Sequence, residues 1–177
     1  KIDWSLIFSK TKVIAILVVN RDILLRSFML EIIFVSFLMT SGKFGDVELA
    51  ATQILLQFLH ISAYGMDGFA FAAEVLVGQA VGKSNRSMLR DAVVKSGVWT
   101  FTIAVFMAVT YAFLGGFFIA IMTTSNEVRL VSENFLIFIV LGPIFGALPF
   151  LMDGIFVGAT RSVDMRNMMF LSLIIYA

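Results

Sequence analysis

The chain has 177 residues, of which 60% are hydrophobic and 14% charged, with a formal net charge of +1 and no cysteine. Its mean hydropathy is +0.99, whereas soluble domains carry roughly 45–50% apolar and about 25% charged residues. These values exclude a soluble globular domain, a disulfide framework, thiolate metal sites and a basic nucleic-acid surface. They point to an all-α integral membrane protein.

Residues 1–21 mix Lys, Asp, Trp and Ser with short apolar runs, and no signal peptide is recognisable. Trp4 and its apolar neighbours suit a helix at the cytoplasmic interface; a cytoplasmic connection between two halves of a larger protein fits equally well. The stretch "KTKVIAILVVN" is too short to span a membrane. From there the apolar intervals predict four full crossings and the start of a fifth, at about Ile23–Ser41, Leu49–Val81, Ala92–Met122, Leu130–Gly158 and Arg166–Ala177. Between Ser96 and Asn126 no residue is charged. Strands are excluded, because an open sheet edge in lipid leaves backbone groups unpaired and the alternation of a membrane barrel is absent. The closing run "NMMFLSLIIYA" is about half a span, so residues 22–177 are expected to be one helix bundle of a longer protein.

The connections set the orientation. Lys83, Arg86, Arg90 and Lys95 follow the second crossing, Arg161 and Arg166 follow the fourth, and Lys1, Lys10, Lys12, Arg21 and Arg26 precede or enter the first. The alternate connections hold Lys43 with Asp46 and Glu48, then Glu127 with Arg129. Basic clusters on alternate connections place the segments around Lys83–Arg90 and Arg161–Arg166 in the cytoplasm of a multi-pass protein of the cell (inner) membrane.

The second crossing carries most of the chemistry. Helical steps of three and four link Gln53, Gln57, His60, Tyr64, Asp67, Phe71, Glu74 and Gly78 into one stripe. Gln53, Gln57 and Tyr64 each have an ordinary alternative as hydrogen-bonding partners of a neighbouring helix, and a lone His60 is more often packed than proton-carrying. Asp67 and Glu74 are harder to assign to packing. An ionised carboxylate at mid-helix costs roughly 2.5–3.5 kcal/mol on insertion scales. No other span offers a Lys or Arg near mid-depth, and Arg26 lies close enough to the interface to snorkel. The two carboxylates are therefore expected to be protonated, cation-bound or in a wet cavity, facing the bundle interior or a polar cavity rather than lipid.

Two further acids stand in predicted crossings: Glu31 in "FMLEIIFVSF" and Asp153 in "LPFLMDGIFVGATR". Asp153 lies about two turns from Arg161, shallow enough for hydration alone. Pro143 and Pro149, amid Gly142, Gly146, Gly154 and Gly158, are candidate hinge positions, although Gly and Pro are also ordinary in membrane helices. No HExxH, GxSxG or Walker sequence appears, so neither an enzyme nor a catalytic, metal or cofactor site is expected. The glycines of "VGQAVGKS" are read as a helix end, since their spacing to lysine does not fit a phosphate loop.

Three strings, "GDVELAATQILLQFL", "AYGMDGFAFAAEVLVGQAVGKS" and "MDGIFVGATRSVDMRNMM", resemble the multidrug and toxic compound extrusion (MATE) family, in its DinF-type branch. The similarity runs from about Asn20 to the end and corresponds to the second lobe, helices seven to ten with the start of eleven. The resemblance implies two six-helix bundles around a central cavity in the bilayer. It also implies export of bulky, often cationic or amphiphilic small molecules by alternating access, driven by H+ or Na+ antiport, with the N-terminal lobe as the missing partner. Some relatives bind a coupling cation at acids on helices seven and ten, for which Glu31 and Asp153 are the nearest candidates. Asp153 stands about a turn from the sodium-type position. Members of this branch are thought to use an aspartate in helix one of the first lobe, outside this chain. A flippase for a lipid-linked substrate on the same architecture, or a non-transporting membrane scaffold, are the alternatives.

Overall fold

The computed structural model describes residues 10–176, excepting the side chains of residues 10–12 and 15, so the expectation for Trp4 lies outside the described residues. The described chain is six helices: α1 (Lys10–Ser41), α2 (Asp46–Gly82), α3 (Arg86–Met122), α4 (Asn126–Asn134), α5 (Leu136–Gly158) and α6 (Ser162–Tyr176). Three helical stretches are long and apolar enough to cross a membrane: Ile16–Ser41, Arg86–Met122 and Leu136–Gly158. At 1.5 Å per residue, α3 extends roughly 55 Å, well beyond a core of about 30 Å. Helix α2 matches α3 in length at 37 residues, but its polar stripe lowers its hydropathy below that of the three apolar stretches.

The chain divides into two compact units, Lys1–Val35 with Thr160–Ala177, and Ser36–Ala159. Helix α1 runs uninterrupted through Asn20 and Asp22, across the position where the connecting segment is expected to meet the bundle. The fourth predicted crossing, in contrast, is two helices. The chain leaves the helical conformation at Phe135 (φ −98°, ψ 2°), which separates the amphipathic α4 from the apolar α5.

Local chemistry explains the helix ends. Gly45 precedes α2 with φ 139°, a conformation that disfavours any side chain. Asp46 and Glu48 then fill the first turn, where carboxylates favour the positive end of the helix dipole. The Asn85 side chain accepts from the Met88 amide at 3.0 Å and caps α3. Arg129 on α4 donates from Nη2 to the Ala120 and Thr123 carbonyls at 3.2 and 3.4 Å, satisfying groups that the end of α3 leaves open.

In the larger unit α2, α3 and α5 pack on one another, with α4 against α2. The buried side of α2 runs from Ala51 through Phe58, Ser62, Met66, Ala70 and Ala73 to Ala80; that of α3 runs from Ala92 through Thr100 and Ala104 to Ile119. Small residues predominate, as expected where helices associate by close packing rather than by expelling water. The closest approach is between α2 and α5. A Cβ on Gly154 would overlap the Ala70 carbonyl, and one on Gly158 would overlap that of Glu74. Toward the other end, Tyr111 of α3 donates to the Phe58 carbonyl at 3.2 Å and accepts from Ser62 Oγ at 3.0 Å, its ring edge-on to Phe58. Helix α5 stays helical through both prolines; Pro143 is buried in the packing and Pro149 is exposed.

Candidate functional site

Over the first half of α2 the buried spine and the polar stripe lie on opposite sides of the helix. Toward its end they converge: at 100° per residue Asp67 stands only about 60° from Ala70, and Glu74 about 40° from Ala70 and about 60° from Val77. Gln53, Gln57, His60, Tyr64 and Phe71 are exposed, Tyr64 by 73%, while Asp67, Glu74 and Gly78 are half-buried. Asp67 and Glu74, half-buried, flank the edge of α2 that meets α5, while α3 and α5 pack mainly on the small-residue side. Alanines, Ser62 and the glycines of α5 allow the backbones to approach there.

The α2–α5 crossing brings Asp153 into this picture. Leu59 meets Gly142, Met66 meets Gly146, Ala70 meets Gly154 and Glu74 meets Gly158, so the two helices run parallel in register. Asp153 consequently lies within about one turn of the height of Asp67. Around α5, Asp153 is about 160° from Leu151, and Leu151 packs against Gly97 of α3. Asp67 and Asp153 thus fall on the same face of the α2–α5 pair, the one α3 leaves open. Asp67 and Asp153 each take part in a polar or electrostatic interaction, and His60 in one of these or a ring contact. Glu31 is exposed on α1, in the other unit.

One cavity in this unit lies elsewhere. About 320 Å³ in volume, it is lined by α2 and α3, including Phe58, Ile61, Phe106, Tyr111 and Phe118, and is almost wholly apolar. None of the stripe residues contributes to it. Among the described residues no cluster of His, Cys, Asp or Glu could hold a metal ion.

One charged cluster was not legible as such in the sequence. In the smaller unit the Asp22 side chain is fully buried. Arg166 Nη1 donates to its Oδ1 at 2.7 Å, Arg21 Nη2 donates to the same oxygen at 3.1 Å, and Ser162 Oγ donates to Oδ2 at 3.4 Å. Arg21 and Arg166 read in sequence as orientation charges only. The available signal was an aspartate next to arginine at the entry to an apolar run, and its partner on α6 is far away in sequence.

A family model described as MatE matches residues 23–177. DNA damage-inducible protein F of Escherichia coli (strain K12) is 35% identical over 158 residues, covering 87% of this chain and 34% of that relative. The chain therefore spans about a third of the length of the curated relative it matches. No solved structure matches it.

Proposed function

This chain belongs to the MatE family, and on that premise we propose that it is the second lobe of a cation-coupled antiporter. The protein exports bulky organic cations or amphiphiles across the inner membrane by alternating access. H+ or Na+ is the coupling ion, and a first lobe completes the pathway. The observation that carries this reading is the open face of the α2–α5 pair, where Asp67, Glu74 and Asp153 gather next to Tyr64 and Phe71. Carboxylates there neutralise a cationic centre, and exposed aromatic rings offer it their faces. An unshared face of this kind has no place in lipid, so it lines a path that the first lobe closes from the other side.

In this reading α2 is a fourth crossing whose polar face is tolerated because it is wet. The segments around Lys83–Arg90 and Arg161–Arg166 are cytoplasmic. Glu31 and Asp153 are second-lobe candidates for the coupling ion. The backbone hydrogen bonds lost at Pro143 and Pro149 are the points at which α5 bends between inward- and outward-facing states.

The test uses full-length protein in proteoliposomes with an imposed proton or sodium gradient and a fluorescent organic cation as cargo. Joint replacement Asp67→Asn and Glu74→Gln is expected to lower flux roughly tenfold or more, a loss of about 1.4 kcal/mol per decade. Unchanged flux in the double variant would remove these carboxylates from the pathway.

A further inference from the structure

Asp22 is the fully buried carboxylate of the smaller unit, and its partners come from two helices. Arg21 lies on α1 itself; Ser162 and Arg166 lie in the first turns of α6. A static clamp needs only the cross-helix pair, because a buried charge requires one good counter-charge and satisfied lone pairs. This cluster has more than that, and the surplus has a pattern. Arg21, whose side chain is 61% exposed, already touches Asp22 through Nη2 and Nε. Arg166, 26% exposed, already holds Asn167 Oδ1 through Nε and Nη2, separate nitrogens from the one on Asp22. If α6 moves away, Asp22 keeps Arg21 and Arg166 keeps Asn167. Asp22 thus retains a counter-charge, and the partly exposed Arg166 retains a hydrogen-bond acceptor. Arg161 is engaged with Asp164 at 2.6 Å and does not compete.

Two other features belong with this arrangement. Among the described residues α1 and α6 show no extensive packing on each other, and the charged cluster joins them. The chain also enters α6 through Thr160 at φ 57°, a left-handed conformation that a β-branched residue adopts only when its surroundings hold it there.

We propose that Asp22, Ser162 and Arg166 form a breakable latch between the cytoplasmic ends of α1 and α6, with Arg21 and Asn167 as the partners that receive the charges when it opens. The proposal rests on the reading of the protein as a two-state transporter. The latch is closed in the conformation described here, and its opening accompanies the change of access.

Spin labels on Asn20→Cys and Met168→Cys, both exposed positions, in the full-length protein in nanodiscs report the joint without any cargo. Two distance populations are expected. Arg21→Gln removes the receiving partner of Asp22 and shifts the ratio toward the short distance by roughly fivefold or more, and Arg21→Lys restores it. Arg166→Gln shifts it the other way. A single population that ignores Arg21→Gln overturns the latch, even if Arg166→Gln fails to fold. Transport by the same variants in proteoliposomes separates the two ideas. Absence of cation export by the parent protein rejects the exporter reading, whereas a fixed distance in an active exporter rejects only the latch.

Discussion

Replacing Gly154 by alanine adds one carbon where α2 and α5 meet backbone to backbone. The new Cβ would lie 2.8 Å from the Ala70 carbonyl carbon and 3.0 Å from its Cα, with the carbonyl oxygen closer still. Comfortable contact between carbons begins near 3.5 Å, so the helices must separate by roughly 0.5–1 Å. Nothing flexible can yield, because the atoms struck are main chain. Overpacking of this kind costs about 1–3 kcal/mol, and the rigid obstacle places Gly154→Ala toward the upper end. A loss of about 3 kcal/mol is two decades in the folding equilibrium and, by the scaling for domains of this size, lowers Tm by roughly 6–12 °C. Gly68→Ala is the control: a Cβ there meets nothing within 4 Å, and exchanging a helical glycine for alanine gains up to about 1 kcal/mol. Thermal unfolding of purified full-length protein in mild detergent reads both. Should Gly154→Ala unfold at the parental midpoint while Gly68→Ala behaves as expected, α2 and α5 do not cross at backbone distance. The shared face of Asp67 and Asp153 would then lose its basis.

Two other outcomes follow from the packing of the larger unit. Tyr111→Phe removes a hydroxyl bonded to both the Phe58 carbonyl and Ser62 Oγ, and is expected to cost about 0.6–1.5 kcal/mol in denaturant midpoint. Ser62→Ala should cost less in that background than in the parent, because the two hydroxyls share one network, and simple additivity would show that they do not. Arg129→Met leaves the Ala120 and Thr123 carbonyls without their charged donor. The expected loss is about 1.5–3 kcal/mol, with faster amide exchange through residues 119–128; unaltered exchange there would show that the arginine is not what holds the end of α3.

Helix positions were legible in the sequence because length, apolarity and turn residues act locally. The segments between α1 and α2 and between α2 and α3 fall where Gly45 and Asn85 announce them. The division at Phe135 was missed because an apolar residue in a nearly helical conformation gives no compositional signal; only the polar "SEN" before it marks the change. Periodicity identifies the stripe on α2, whose outer members Gln53, Gln57, His60 and Tyr64 are exposed and whose Asp67 and Glu74 are half-buried. Hydrophobic patterning identifies an interior in water, whereas in a membrane helix both polar and small residues can avoid lipid. The alanine-rich line from Ala51 to Ala80 was the better indicator of the packed side. Asp153 seemed separate from Asp67 because register between two helices is set by glycine contacts that no single-helix count contains. Asp22 stayed hidden for the same reason, since its partners on α6 are remote in sequence.

The glycine crossing also determines what can change during motion. Where side chains interlock, a rotamer change can alter the spacing of two helices by fractions of an ångström. At Ala70–Gly154 and Glu74–Gly158 there is no such adjustable layer, only main chain on main chain. Over this stretch the two helices form a stiff beam, and Asp67, Glu74 and Asp153 are fixed to it like marks on a ruler. The main-chain positions of Asp67, Glu74 and Asp153 therefore move together, and only the side-chain rotamers of the acids alter the spacing of their carboxylates.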